Sequence, residues 1–342
     1  MRSPIHTTLL AVLAALALVL AACGDDDDGG VATSGDPAEV ETDTDTESET
    51  ETDDEAGSDE DEAAFPVTVT VDGTDTTIDA EPQAIVSLSP TATEMLFAIG
   101  AGDQVVAVDD FSYFPEEAPV TDLSGFDPNV EAIIGYEPDL VILSGDRNDV
   151  VAGLAAVDVP TIVLGSAMAI DDTYTQIEAL GAATGHIGDA AELVSNMQTD
   201  IEELVAQVPE RDEPLTYYHE LDDTYFSVTS DTFIGEIYAL AGLENVADGA
   251  EGAADAGGYP QLSAEFLIDA DPDLIFLADT KCCAQDATTV AARPGWADMS
   301  AVQGGNVIEL DDDIASRWGP RIVDFLESIV EATAGVEAGV AG

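Results

Sequence analysis

The segment Val130–Leu143 reads VEAIIGYEPDLVIL, and the segment Ala264–Leu277 reads AEFLIDADPDLIFL. In each segment a glutamate lies seven residues before a proline, and an acidic-Pro-Asp-Leu sequence opens an apolar run. The first, fourth and fifth residues of each segment fall on one face of a helix. The proline ends that helix before a strand. The repeat therefore predicts two similar helix–strand units in two parts of the chain.

The two repeated glutamates, Glu131 and Glu265, are each one residue away from the apolar positions. One residue corresponds to about 100° around a helix, so both carboxylates are predicted to face solvent. Asn129 and Ser263 precede the two helices and are predicted N-caps.

The sequence before the first repeat predicts a hairpin followed by a parallel sheet. Residues 67–78 alternate apolar and polar side chains around Asp72-Gly73, a pattern typical of a tight hairpin. Short apolar runs then alternate with helical periodicity, which favours βα units. The predicted strands are Ala84–Leu88, Val105–Val108, Leu140–Leu143 and Thr161–Leu164.

The region from Asp171 to Val208 is predicted to be mainly helical, and Pro209 ends it. A second set of strands is predicted at Leu215–Tyr218, Tyr225–Val228, Leu274–Leu277 and Val307–Leu310. The predicted fold is therefore α/β, with two α/β lobes whose sheets are mainly parallel. The lobes comprise residues 65–170 and 210–342, and a helical linker at 171–209, with its long helix at about 186–208, joins them.

The composition and the N-terminal segment exclude some partners and predict export. The chain has 72 acidic and 7 basic residues, a net charge of -65, so nucleic acid and anionic membrane surfaces are poor partners. Arg2, an apolar stretch and Leu20-Ala21-Ala22-Cys23 resemble a bacterial lipobox, which predicts a signal peptide at 1–22 and lipid on Cys23. An uncleaved anchor is the alternative. Residues 23–64 are acidic and predicted to be a disordered tether.

Several segments together resemble the periplasmic binding proteins for vitamin B12 and ferric siderophores, which serve ATP-driven importers. The similarity extends over about residues 66–334 and rests on IVSLSPTATEMLFAIGAGDQVVAV, the two repeats, RPGWADMSAV and RWGPRIV. The resemblance implies one rigid connecting helix, a ligand cleft between the lobes and small hinge motions. It also implies an ABC permease dimer with its ATPase as partner. A monomer at the outer face of the cytoplasmic membrane, without a cofactor or a catalytic site, is expected.

Candidate ligand-binding residues follow the predicted strands. Ser89 and Thr91 lie in the turn that opens the first helix, where free backbone N–H groups favour anionic or carbonyl groups. Aromatic rings suit a macrocycle or an aromatic chelate, and core packing is the alternative for any one of them. The aromatic candidates are Phe111, Phe126, Tyr225, Tyr259 and Trp296. In B12-binding members, pocket aromatics match Phe111, Phe126 and Tyr259, but Ser144 replaces a pocket tryptophan.

Basic residues are rare, so Arg147 and Arg317 are candidates for binding an anionic ferric chelate. The alternative is that they relieve local acidic repulsion. Arg317 is the first choice. Because of these arginines and of the pocket tryptophan replaced by Ser144, an iron complex is favoured narrowly over a corrinoid, and haem stays open.

Cys282 and Cys283 are adjacent, and a vicinal disulfide, a reactive pair and two inert thiols are all possible. No further cysteine or histidine at ligand spacing indicates zinc, and no metal site is predicted. No recognisable hydrolase, phosphate-loop or metalloprotease motif occurs, so an enzyme is not expected. A surface protein without a transport role is a further alternative.

The resemblance also gives the repeated glutamates a role. In the family, the corresponding glutamates meet arginines on the two halves of the permease dimer. Glu131 and Glu265 are therefore expected to be permease-docking residues.

Overall fold

The structure, a computed structural model, describes residues 65–336, with the side chain of Ala254 excepted. The predicted signal peptide at 1–22, the lipidation site Cys23 and the tether at 23–64 lie outside the described residues. Within residues 65–336, no helix combines the length and the apolar character needed to cross a membrane.

The chain from residue 67 forms the predicted hairpin. Strands β1 (Val67–Val71) and β2 (Thr74–Ile78) pair antiparallel. Asp72 and Gly73 have φ angles of 49° and 75°, as a two-residue turn that matches the strand twist requires. The hairpin prediction is confirmed.

The first lobe contains a five-stranded sheet with the order β5-β4-β3-β6-β7, in which every pairing is parallel. Its strands are β3 (Ile85–Leu88), β4 (Val105–Asp109), β5 (Val120–Leu123), β6 (Leu140–Leu143) and β7 (Thr161–Val163). Its helices are α1 (Pro90–Ala98), α2 (Val130–Ile134) and α3 (Val150–Ala155). Strand β5 was not predicted, because it is an edge strand in which only Leu123 is buried and no apolar run marks it.

The connection between the lobes consists of two helices that pack on each other, α4 (Ile170–Thr184) and α5 (Ile187–Val205). Gly185 follows α4 with φ of 89°, a left-handed conformation that ends a helix and favours glycine. Helix α4 also packs against β1 of the hairpin. The long helix predicted at about 186–208 therefore corresponds to α5, which has α4 as a packing partner.

The second lobe contains a four-stranded parallel sheet with the order β11-β10-β8-β9. Its strands are β8 (Thr216–Glu220), β9 (Glu244–Asn245), β10 (Leu274–Leu277) and β11 (Val307–Glu309). Its helices are α6 (Phe233–Leu240), α7 (Ala264–Ala270), α8 (Ala287–Ala291), α9 (Ser300–Gly304), α10 (Asp312–Ser316) and α11 (Ile322–Gly335).

The strand predicted at Tyr225–Val228 was wrong. Tyr225 has φ of 68° and closes a turn in which its N–H donates to the carbonyl of Asp222, so the chain is not extended there. Only an isolated antiparallel bridge joins Phe226 to Gln261. The short strand β9 takes the edge position beside β8.

The sheets divide the interior into three apolar clusters. One lies on the α2 and α3 side of the first sheet, with Val86 and Val141. A second lies on the α7 and α9 side of the second sheet, with Leu267 and Trp296. The largest cluster contains residues of both sheets and of helices α1, α4, α5, α6 and α11. The two lobes therefore share one continuous core.

The two repeated segments form the predicted units. Asn129 Oδ1 accepts from the N–H of Ala132 at 3.0 Å, and Ser263 Oγ accepts from the N–H of Phe266 at 3.1 Å. Both N-cap predictions are confirmed. Each helix buries one residue completely, Ile133 in α2 and Leu267 in α7.

Both repeated glutamates and one apolar residue of the first repeat are exposed to solvent. Glu131 and Glu265 are exposed, as predicted. Ile134 lies on the same predicted apolar face as Ile133 but is exposed, because α2 ends there after little more than one turn.

Candidate functional site

A cavity of about 420 Å³ lies where the carboxyl ends of the first-lobe strands meet the segment before α11. Ligands of open α/β sheets commonly bind beyond the carboxyl ends of the strands. The first lobe contributes Leu88, Ser89, Pro90, Thr91, Asp109, Phe111, Gly125, Phe126, Ser144, Arg147 and Ser166. The second lobe contributes Ser316, Arg317 and Trp318. This cavity, with residues of both lobes on its walls, is the cleft.

A smaller cavity of about 80 Å³ adjoins the cleft and shares Ser166, Ser316, Arg317 and Trp318 with it. Tyr259 and Phe233 line this extension from the second lobe. Tyr259 is half-exposed. The site therefore continues from the strand ends of the first lobe to an aromatic ring of the second.

Two phenylalanines form the most exposed apolar surface of the cleft. Phe111 follows β4 and is 47% exposed, and Phe126 follows β5 and is 67% exposed. Their ring centroids are 5.6 Å apart in an edge-to-face arrangement. Large aromatic rings that face a cavity supply much of the contact area of a flat ligand. The pair is a platform for such a ligand.

The start of α1 supplies hydroxyl groups and backbone N–H groups. Ser89 is the N-cap, and its Oγ accepts from the N–H of Ala92 at 3.3 Å. Thr91 lies in the first turn, and both side chains are nearly buried. Ser144, Ser166 and Ser316 add hydroxyl groups around the cleft. Because a hydroxyl group both donates and accepts, this lining suits a ligand rich in amide groups.

The cationic groups of the cleft differ in how far their charge is neutralised. Arg317 Nη1 lies 2.7 Å from Glu94 Oε1, and its Nη2 lies 2.7 Å from Asp313 Oδ1. Arg147 is exposed, lies 5.5 Å from the Phe126 ring centroid and has no carboxylate partner within the described residues. The charge available to an anionic ligand is therefore that of Arg147.

One carboxyl group lies in the wall of the cleft. Asp109, at the end of β4, is 1% exposed, and burial raises the pKa of its carboxyl group. Its Oδ1 accepts from the N–H of Phe111 at 2.9 Å, which limits the shift. Asp109 thus fixes the loop that presents Phe111.

The sequence was compared with known families and proteins. The model of the periplasmic binding protein family matches residues 85–314. The chain belongs to this family. A cobalamin-binding protein of Halobacterium salinarum is 31% identical over 279 residues, which cover 79% of this chain and 74% of that protein. YvrC of Bacillus subtilis, an ABC transporter substrate-binding lipoprotein, is 30% identical over 278 residues, 78% of this chain and 85% of that protein.

Solved structures agree with the two-lobed architecture. The periplasmic haem-binding protein RhuT of Roseiflexus sp. RS-1, in its apo form, superposes with a TM-score of 0.64 and 25% identity. The superposition covers 74% of this chain and 99% of that chain. The resemblance to the family and the predicted two-lobed α/β fold are therefore confirmed.

The structure brings most predicted ligand-binding residues of this family member to the cleft. Six of them line the cavity itself: Ser89, Thr91, Phe111, Phe126, Arg147 and Arg317. Tyr259 lines the adjoining extension. Ser144, which the resemblance aligned with a pocket tryptophan, also lies in the cleft wall. Their contact with a ligand stays a prediction.

Two predicted site residues lie elsewhere. Trp296 is 0% exposed, and Tyr225 stacks on it with ring centroids 5.7 Å apart. Both belong to the apolar cluster on the outer side of the second sheet. Trp296 is buried and Tyr225 is partly buried, and neither is among the residues that line the cleft or its extension.

The sulfur atoms of Cys282 and Cys283 lie next to each other, as a vicinal disulfide bond would require. The N–H groups of Lys281 and Cys282 donate to Asp312 Oδ2, each at 2.9 Å, which fixes this turn to α10. Neither cysteine is among the cleft-lining residues. The bond itself stays a prediction. Within residues 65–336, no group of three or more His, Cys, Asp and Glu side chains is arranged to hold a metal ion.

Sequence reasoning missed Asp109, Trp318 and Ser166 as cleft residues. Asp109 directly follows the predicted strand Val105–Val108 and ends the observed strand β4, and this position is a signal that could have identified it. Trp318 Nε1 donates to Gln176 Oε1 of α4 at 3.1 Å, a contact between positions 142 residues apart that no local pattern marks.

Proposed function

We propose that this protein is the substrate-binding component of an ABC importer and that its cleft binds a corrinoid of the cobalamin type. The observation that carries the ligand class is the exposed Phe111–Phe126 platform in a cleft that also contains the hydroxyl groups of five serine and threonine residues. A corrin ring presents a broad apolar face and a periphery of amide groups. Aromatic rings suit the first and serine hydroxyls suit the second.

The names of relatives support the same class of ligand, a corrinoid. Curated relatives from Halobacterium salinarum and Vibrio cholerae are named for binding cobalamin or vitamin B12. The sequence alone favoured an iron complex because Ser144 replaces a pocket tryptophan and because arginines lie near the cleft. The charge of Arg317, the first-choice arginine, is matched by Glu94 and Asp313, which removes one of these reasons.

An anionic ferric chelate is the second candidate, and Arg147 is the observation that favours it. Its guanidinium lies at the cleft without a carboxylate partner in the described range, and a bidentate arginine binds carboxylate or hydroxamate oxygens well. This candidate requires Arg147 to contribute a charged hydrogen bond to the ligand.

Calorimetric titration of the purified full chain separates the two candidates. Cyanocobalamin, ferric citrate and haem are titrated into separate samples, and the Arg147→Gln variant is titrated in parallel. We expect cyanocobalamin to bind and to lose little affinity in the variant. Binding of ferric citrate alone, with a loss in Arg147→Gln of roughly 1.5 to 3 kcal/mol, supports the second candidate. Absence of binding by all three ligands contradicts both.

We also infer that the protein is exported, held at the membrane by lipid on Cys23 and docked to the permease through Glu131 and Glu265. Both carboxylates are exposed, and each lies in the first turn of a capped helix at the same position of a repeat. Two lobes that present matching carboxylates suit the two halves of a symmetric permease. Rim charges of this kind act mainly on orientation and encounter.

The docking role is tested by the double substitution Glu131→Arg with Glu265→Arg. We expect ligand affinity and melting temperature to stay nearly constant, because exposed charges contribute about 0 to 1 kcal/mol each to stability. Uptake of labelled ligand by cells should be abolished.

The matched control replaces Glu202 and Glu203, two exposed glutamates of α5, by arginine and thereby changes the net charge equally. The control should transport normally. Normal transport by the double variant at the repeats, or equal loss in the control, contradicts the docking role.

A further inference from the structure

Two arginines of the second lobe form ion pairs with a buried glutamate of the first lobe. Glu94 lies in α1, and 2% of its side chain is exposed. Arg317 Nη1 donates to its Oε1 at 2.7 Å, and Arg321 Nε donates to its Oε2 at 2.9 Å. Arg321 Nη2 also donates to Oε1. Both arginines come from the segment between α10 and α11, so the ion pairs connect the two lobes.

Helix α10 and the segment that follows it make further contacts with the loop after β4. The hydroxyl group of Tyr113 donates to Asp313 Oδ2 at 2.6 Å, and Arg317 Nη2 donates to the carbonyl of Phe111 at 3.1 Å. The Arg321 guanidinium lies 4.0 Å from the centroid of the Phe114 ring. The contact of Tyr113 with Asp313 fixes a loop beside the cleft. The contact of Arg317 fixes the backbone of Phe111, which belongs to the platform.

The charges of this cluster are balanced. Asp313 also accepts from Lys281 Nζ at 2.7 Å, and Lys281 pairs with Asp311. Three carboxylates, those of Glu94, Asp311 and Asp313, thus face three cationic groups. The described range contains six basic residues: Arg147, Arg211, Lys281, Arg293, Arg317 and Arg321. In a chain this acidic, half of the described basic residues lie at one junction between the lobes.

Separation of the lobes would leave Glu94 without a partner. Burial opposes the charged form of Arg321, but the hydrogen bond and the charge of Glu94 raise the pKa of its guanidinium above the ordinary value. Removing one partner of a buried pair is costly because the remaining charge is uncompensated. The junction therefore favours one lobe separation over others.

We propose that Glu94, Arg317 and Arg321 form an interlobe clasp that holds the cleft at a fixed width before the ligand arrives. Glu94 is then a positioning residue, because it does not line the cleft and acts through Arg317 and the Phe111 loop. A cleft that is already assembled loses less conformational freedom on binding, so the clasp increases affinity. The effect on affinity rests on the proposed function of the cleft, whereas the fixed lobe separation does not.

The second lobe offers a matched control. Glu220, at the end of β8, is also fully buried, and it receives a bidentate pair from Arg293 at 2.6 Å to each oxygen. Both residues of this pair belong to the second lobe. Glu220→Gln therefore removes an equally buried charge without touching the junction.

The test measures the distance between the lobes directly. Spin labels are attached through a keto-bearing amino acid at Ala155 and Thr288, exposed positions in α3 and α8, so that the native cysteines are untouched. Pulsed electron resonance gives the distance distribution of the full chain without ligand. We expect Glu94→Gln to shift or broaden it, and Glu220→Gln to leave it as in the wild type.

Affinity is measured on the same proteins with cyanocobalamin. We expect Glu94→Gln to weaken binding about tenfold, the lower end of the range for a charged hydrogen bond. If Glu94→Gln does not fold, Tyr113→Phe, which removes one partly exposed contact of the junction, should still broaden the distribution. A distance distribution identical to that of the wild type in the folded variant overturns the clasp. Failure of the wild type to bind cyanocobalamin contradicts the proposed ligand and leaves the distance result standing.

Discussion

Each lobe places an arginine beside a pair of aromatic rings, over one ring in the first lobe and over both in the second, and the two arrangements differ in exposure. In the first lobe, Arg147 lies over Phe126, beside Phe111, and all three side chains are exposed at the cleft. In the second lobe, Arg293 lies 4.6 Å from the centroid of Trp296 and 5.5 Å from that of Tyr225. In that group Trp296 is fully buried, and Tyr225 and Arg293 are partly buried.

The two arginines differ in whether a carboxylate neutralises their charge. Glu220 accepts two hydrogen bonds from Arg293, whereas Arg147 has no such partner among residues 65–336. Burial opposes the charged form of Arg293, but Glu220 raises the pKa of its guanidinium above the ordinary value. A neutralised arginine can be covered by aromatic rings, while an unpaired one stays in water. The same residue types thus build a core in one lobe and a binding surface in the other.

The largest effect is expected from Arg293→Ala. This change leaves the buried Glu220 without its bidentate partner, and the free energy of unfolding should fall by about 3 to 5 kcal/mol. Urea denaturation followed by tryptophan fluorescence measures it, since Trp296 lies beside the altered site. Arg147→Ala, at an exposed position, should change the free energy of unfolding by no more than about 0.5 kcal/mol. Similar losses in both variants would remove the contrast between the lobes.

A smaller effect, on affinity and not on stability, is expected from Phe126→Ala. This ring is 67% exposed, so its loss should leave the melting temperature nearly unchanged. Affinity for cyanocobalamin should fall by about 2 kcal/mol, as for an aromatic anchor of a binding surface. The control Tyr136→Ala removes an exposed aromatic ring that is not among the cleft-lining residues. Unchanged titration curves for Phe126→Ala would mean that the platform does not contact the ligand.

A third effect is a pH dependence of stability in the second lobe. Asp279 lies beside Glu220 and is fully buried, and neither of its carboxylate oxygens has a hydrogen-bond partner within the described residues. Burial, together with the charge of Glu220, raises its pKa from 3.8 to about 7. The folded protein therefore favours the protonated form. The contribution of this group is fully present below about pH 4 and is lost as pH rises through about 7.

Asp279→Asn keeps the shape of the side chain and removes the titration. The melting temperature of the variant minus that of the wild type should therefore be larger at pH 8 than at pH 5, as measured by calorimetry across that range. A difference that is constant with pH would show that Asp279 does not titrate between these values.

Much of the fold followed from local patterns. The alternation around Asp72-Gly73 predicted the hairpin, and apolar runs predicted all but the two edge strands β5 and β9. These patterns are short-range, because side-chain periodicity and turn chemistry are decided within a few residues. The edge strands lacked a continuous apolar run, so no comparable local pattern indicated them. Tyr225–Val228 had the composition of a strand, and a turn with positive φ replaced it.

The sequence by itself determined the repeated helix–strand units, their N-caps and the exposure of Glu131 and Glu265, since helical periodicity fixes which side faces solvent. Only the tertiary structure decided which rings line the cleft and which carboxylates neutralise which arginines. Glu94 meets Arg317 and Arg321 across 223 and 227 residues of chain. With 72 acidic residues available, no local pattern selects that partner. Long-range ion pairs form only where packing brings the groups together and excludes water, so their partners are set by the assembled lobes.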